Sequence, residues 1–145
     1  MLAADPALGA VIWLQGELGA GKTTLVAGVL ARFDVRGPIR SPTYTLVEPY
    51  EVAGRWVYHI DLYRLADARE LEALALREML VPGAVVLIEW PSRAQTGVPA
   101  PDLEIEIHYD PTGARTLHAT GFTERGDKLL RAIVAENPEQ GAVSS

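Results

Sequence analysis

Cysteine is absent from the 145 residues, which excludes disulfide staples and thiolate metal sites and suits a reducing compartment. Also missing is any apolar run of the ~20 residues needed to cross a bilayer. The opening "MLAADPALGA" lacks the cationic region and long apolar stretch of a secretion signal. A soluble, cytoplasmic chain with no membrane partner is expected. Basic charge is scarce as well. A formal net charge of -6 argues against a chain that grips nucleic acid alone, since that affinity comes from lysine and arginine neutralising phosphates. Any role on nucleic acid is expected to run through a partner. The three histidines, His59, His108 and His118, lack ligand spacing, so structural roles are expected for them.

What the chain does have is material for a core, with 48% hydrophobic residues and no internal repeat or dividing linker. One domain over residues 1–136 is expected, followed by a disordered tail over 137–145. "AVIWLQ" (Ala10–Gln15) is apolar on both faces, as in a strand covered on each side. A glycine-rich segment follows, and "TTLVAGVLARF" then places Leu25, Val26, Val29, Leu30 and Phe33 on one helical stripe. "SPTYTLVEPYEV" and "RWVYHIDLY" read as an antiparallel hairpin turning at Ala53-Gly54. Within it His59, Asp61 and Tyr63 share one face. Asp67 and Glu70 resemble a capping box for a helix over "ARELEALALREML", with Leu71, Leu74 and Ala75 inward. "AVVLIE" reads as a buried strand, "LEIEIHY" and "RTLHATGF" as a hairpin across "DPTG", and Glu124–Ala135 as a final helix. The order suggests a three-layer α/β domain whose mixed sheet has a parallel core beside antiparallel additions.

"GELGAGKT" matches GxxxxGK[ST] in full, between a strand and a helix. Glycines are required because the backbone must curl its N–H groups around a phosphate without obstruction. Gly16, Glu17, Leu18, Gly19, Ala20 and Gly21, with Lys22, Thr23 and Thr24, form the expected nucleotide-binding segment of a P-loop NTPase-type domain. Lys22 would bridge β- and γ-phosphate oxygens, the Thr23 hydroxyl would ligate magnesium, and the helix would add its positive dipole end.

Such a loop needs an acid, usually at a neighbouring strand tip. Asp61 and Glu89 both end apolar strands. Either would be a mere surfacing carboxylate in isolation; beside a phosphate loop at least one is expected to face magnesium or the attacking water. Glu89 has the stronger pattern, because its strand looks adjacent to the loop strand. Trp90 suits core cover, or stacking on a base or a partner. The hydroxyls of "SPTYT" suit a segment sensing the γ-phosphate, with Thr43 the candidate contact, or an ordinary loop. Arg32, Arg36 and Arg40 form a small basic group, either a solvated face or a docking patch.

In this order, "GELGAGKTT", "SPTYTLVEPY", "HIDLYRL" and "VLIEWP" resemble the TsaE (YjeE) family of bacterial ATPases needed for threonylcarbamoyladenosine synthesis on tRNA. The resemblance implies ATP and Mg2+ as cofactors, and the TsaD and TsaB proteins as partners, with tRNA reached through that complex. By matching motif it assigns Lys22 and Thr23 to phosphate and magnesium, and Glu89 to the metal. It assigns Asp61 to hydrolysis, Thr43 to the switch-like segment and a functional role to Trp90. The expected catalytic set is Lys22, Asp61 and Glu89, with the roles of the two acids open to exchange. The family usually carries another helix and strand ahead of the loop strand, where about ten residues stand here, so a shortened start is expected. It also commonly places glycine where this chain has Ala75. A small-molecule kinase is the alternative, although no arginine-bearing lid is evident; a nucleotide-gated binding module is a third reading.

Overall fold

The computed structural model describes residues 9–35, 37–42, 45–94 and 96–136. The first eight residues, Arg36, Thr43 and the 137–145 segment lie outside the described residues, and so do the expectations placed on them. A six-stranded sheet runs in the order β2-β3-β4-β1-β5-β6. Its strands are β1 (Ala10–Gly16), β2 (Val47–Val52), β3 (Arg55–Asp61), β4 (Val85–Glu89), β5 (Leu103–Tyr109) and β6 (Arg115–Gly121). β3, β4, β1 and β5 are mutually parallel, while β2 and β6 pair antiparallel at the two edges. The mixed α/β architecture expected from the pattern is therefore the one observed.

Among the described residues three α-helices cover the sheet: α1 (Lys22–Arg32), α2 (Ala68–Ala73) and α3 (Glu124–Glu136). Alternation along the central strands separates two cores. Ile12 and Leu14 of β1 and Val85 and Leu87 of β4 join Val26, Leu30 and Leu129 of α1 and α3. Val11, Val86 and Ile88 instead join Leu71 of α2 and Leu76 on the opposite face. β4 is buried throughout, which is why it reads as an unbroken apolar run. Each such buried Leu or Ile contributes about 1.5–3 kcal/mol relative to exposure. No helix among the described residues is long and apolar enough to cross a membrane.

The β2–β3 hairpin turns at Ala53 and Gly54, both at positive φ (51° and 77°), as a two-residue hairpin turn requires. The Asp67 carboxylate accepts the N–H groups of Arg69 and Glu70, capping α2, and Glu70 reaches back to the Ala66 N–H. One expectation is overturned here. The continuous helix over "ARELEALALREML" is interrupted: α2 ends at Ala73, and Ala75 sits at φ 49°, ψ 49° before a short 3-10 turn over Leu76–Met79. The left-handed residue redirects the chain so that Leu71 and Leu76 both enter the second core. A Cβ in that conformation costs about 1–2 kcal/mol. Ala75→Gly is accordingly expected to stabilise the protein by about 1 kcal/mol, net of glycine's unfolded-state entropy. Urea unfolding should show a higher midpoint at unchanged slope.

Candidate functional site

β1 delivers the chain to the C-terminal edge of the parallel strands, where open α/β sheets place their ligands. A Cβ at Gly16 would stand 2.7 Å from the Ile107 carbonyl oxygen, so only glycine fits where β1, paired with β5, turns into the loop at φ 148°. The loop tightens through a bond from Ala20 N–H to Glu17 O (3.0 Å), and Gly21 enters α1 at φ 111°. Ala20 turns its side chain into the core and gives the loop only its backbone. Leu18 is 70% exposed at the loop's outer edge.

Lys22, only 4% exposed, curls back so that its Nζ donates to the carbonyls of Gly16 (2.6 Å) and Glu17 (2.8 Å). The ammonium also lies 4.2 Å from the centre of the Trp90 ring. Burial lowers the Lys22 pKa below the usual lysine value, while the Glu89 and Asp61 carboxylates pull it back up. The loop thus holds a partly desolvated cation ready for an anion.

Glu89, 2% exposed, ends β4 in register with Leu14 of β1 on one side and Asp61 of β3 on the other. In-register residues of neighbouring strands point the same way, so both carboxylates project on the α1 side about 5 Å apart at the backbone. The Thr23 hydroxyl donates to Glu89 Oε1 (3.0 Å), and His59 Nε2 meets the same oxygen at 2.8 Å. His59 is wholly buried, and its Nδ1 has no partner among the described residues. An Nε2–H donor facing Glu89 Oε1 fits the pairing with a carboxylate oxygen, which can only accept. Asp61 accepts the Ser41 hydroxyl on Oδ2 and the Tyr63 N–H on Oδ1 (2.9 Å).

Trp90 adopts the left-handed conformation (φ 59°), which swings its ring back over the loop instead of along the strand. It packs on the second core, tilts against Tyr63 (5.0 Å between centroids) and faces Lys22. Core cover and site wall are thus the same side chain. A cleft of about 450 Å³ opens between these groups, lined also by Thr24, Ser41, Pro42, Arg64 and Arg115.

The structure brings Lys22, Thr23, Thr24, Asp61, Glu89 and Trp90 into this one cleft. Ser41 comes from the hydroxyl-rich segment expected to sense phosphate, whereas Arg64 and Arg115 are cleft residues that the sequence pattern does not single out. The pattern also gave His59 a purely structural role, whereas the ring grips the Glu89 carboxylate. The shared face of His59 and Asp61 was the available signal; Arg115 gives none, since it arrives from the far edge strand. His108 and His118 meet edge-to-face at 5.5 Å, and no group of three possible metal ligands occurs among the described residues. Of the basic group, Arg32 pairs with Glu136 at 3.1 Å on the surface.

A parallel strand, glycine-rich loop and helix, with an acid closing on the helix's first turn from the adjacent strand, define a P-loop NTPase-type α/β domain. Comparison with known proteins narrows this. The sequence model of the family described as threonylcarbamoyl adenosine biosynthesis protein TsaE matches residues 1–117. The tRNA threonylcarbamoyladenosine biosynthesis protein TsaE of Haemophilus influenzae is 42% identical over 124 residues, spanning 85% of this chain and 77% of that protein. The protein of the same name from a Nostoc species is 39% identical over 119 residues, 79% and 72% of the two chains. The crystal structure of Bacillus subtilis YdiB superposes with a TM-score of 0.75 at 26% identity, covering 94% of this chain and 84% of that one. The chain belongs to the TsaE family.

Proposed function

We propose that this protein is a magnesium-dependent ATPase of the cytoplasm that supports threonylcarbamoyladenosine synthesis on tRNA together with TsaD and TsaB. The observation that carries the reading is the Thr23–Glu89 hydrogen bond beside the buried Lys22. With its proton committed to Glu89 Oε1, Thr23 Oγ1 keeps its lone pairs for a hard cation. Hydroxyl and carboxylate oxygens are the donor set magnesium prefers. Bound there, magnesium would neutralise charge on the β- and γ-phosphates.

Lys22 then exchanges two backbone carbonyls for phosphate oxygens, a stronger partner for an ammonium held away from water. Glu89, clamped by Thr23 and His59, serves the metal side. Asp61, set by Ser41 and the Tyr63 N–H, serves the water side and accepts the proton released as water attacks the γ-phosphorus. The bond from that phosphorus to the bridging oxygen breaks, giving ADP and inorganic phosphate. The names borne by the relatives support the place in tRNA modification.

Replacing Asp61 with Asn tests the division of labour. Phosphate release should fall by roughly 100-fold, the scale of a lost general base, while affinity for the magnesium–nucleotide changes less than about threefold. A comparable loss of affinity would instead put Asp61 on the metal. Unchanged hydrolysis in both Asp61→Ala and Glu89→Ala would overturn the site, and transfer of the phosphate to a small metabolite would make the protein a kinase.

A further inference from the structure

Arg115 lines the cleft on the side of the loop away from the two acids. Arg115 opens β6, in register with Tyr109 at the end of β5. Its guanidinium lies 5.4 Å from the Tyr109 ring centre, and its Nη2 approaches the Tyr109 hydroxyl at 3.4 Å. That hydroxyl in turn donates to the Gly19 carbonyl of the loop. A Cβ built at Gly21 would stand 3.6 Å from Arg115 Nε and 3.7 Å from Cζ, so the guanidinium rests along the open flank of the glycine that starts α1. No carboxylate pairs with it among the described residues. The nearby Asp110 is engaged by Thr112 and the Ala114 N–H, contacts that hold its carboxyl below the usual range.

Strand order gives the position a meaning. Along the sheet edge lie Asp61 on β3, Glu89 on β4, the loop after β1, Tyr109 on β5 and Arg115 on β6. Four strand spacings of ~4.8 Å put the backbones of Asp61 and Arg115 roughly 19 Å apart, on opposite sides of the loop. If the acids mark the γ-phosphate, the opposite side receives the nucleoside end. We propose that Arg115 is the second phosphate-binding cation of the cleft, holding the α-phosphate while Lys22 serves the β- and γ-phosphates. The proposal rests on the nucleotide reading above and adds the direction in which the nucleotide lies. A planar guanidinium suits the task, offering two parallel donors to one phosphate, and the Tyr109 ring beneath it limits its rotamers before binding.

Calorimetry with ADP and with inorganic pyrophosphate, each with magnesium, tests it in the full chain. Pyrophosphate needs only the β- and γ-positions, so it reports on the loop alone. Arg115→Ala should weaken ADP about tenfold, the scale of an exposed charge-assisted contact, and pyrophosphate less than twofold. Arg115→Lys should fall between, and an unchanged unfolding midpoint would show that the fold is intact. Equal ADP affinity in Arg115→Ala and the unaltered chain overturns the α-phosphate role and leaves the nucleotide reading standing. An equal loss for ADP and pyrophosphate makes Arg115 a prop for the loop and also overturns it. If the unaltered chain binds neither probe, the nucleotide reading itself fails.

Discussion

Glu89→Ala is expected to destabilise the protein by about 3 kcal/mol and to reduce phosphate release by 100-fold or more. The stability loss follows from what the carboxylate holds. At 2% exposure it receives the Thr23 hydroxyl and the fully buried His59 ring, and truncation leaves the buried ring without its partner. Glu89→Gln separates fold from function. Its amide oxygen can take both donors in the same volume, so most of the stability returns. Its missing charge keeps hydrolysis low. Urea unfolding read beside phosphate release checks this, and full activity in Glu89→Gln would remove the carboxylate's charge from the mechanism.

Lys22→Met carries the second large effect. Nucleotide affinity should fall by at least about 100-fold, the loss of several charge-assisted bonds to phosphate, yet the free protein should be no less stable. The reason lies in the sign of the pKa shift. Burial lowers the native Lys22 pKa below 10.5, so the folded chain disfavours the charged form and bears that cost at every pH below the native value. As pH rises from the native pKa towards 10.5, the unfolded chain binds more protons than the folded one, and stability contributed by this group increases. Methionine removes the cost at neutral pH while filling the same channel. Nucleotide binding has the opposite dependence: phosphates raise the Lys22 pKa, so binding takes up a proton and weakens across the same alkaline window. Calorimetry in two buffers of different ionisation enthalpy would show the uptake, and its persistence in Lys22→Met would assign it to another group.

Ala75 shows how an element can be placed correctly and still be misread. Its apolar spacing continues the helix, and alanine favours helix, yet the residue adopts a conformation that glycine would occupy without strain. Closure of the second core around Leu71 and Leu76 overrides the local preference. Trp90 is the complementary case. Sequence alone divides it between core and site; its left-handed backbone puts one face of the ring on the second core and leaves another beside Lys22.

The phosphate loop, the strand before it, the helix after it and both hairpins were legible in the residue order alone, because each depends on contiguous residues. Backbone N–H groups curl around an anion through local dihedrals, and hairpins close through adjacent turns. Which acid meets the helix, the grip of His59 on Glu89 and the reach of Arg115 to the loop from the far side came from the folded sheet. Those relations follow from the strand order β3-β4-β1-β5-β6, which joins residues as distant as Lys22 and Arg115. Burial of both sheet faces selects that order, and no local pattern encodes which strands become neighbours.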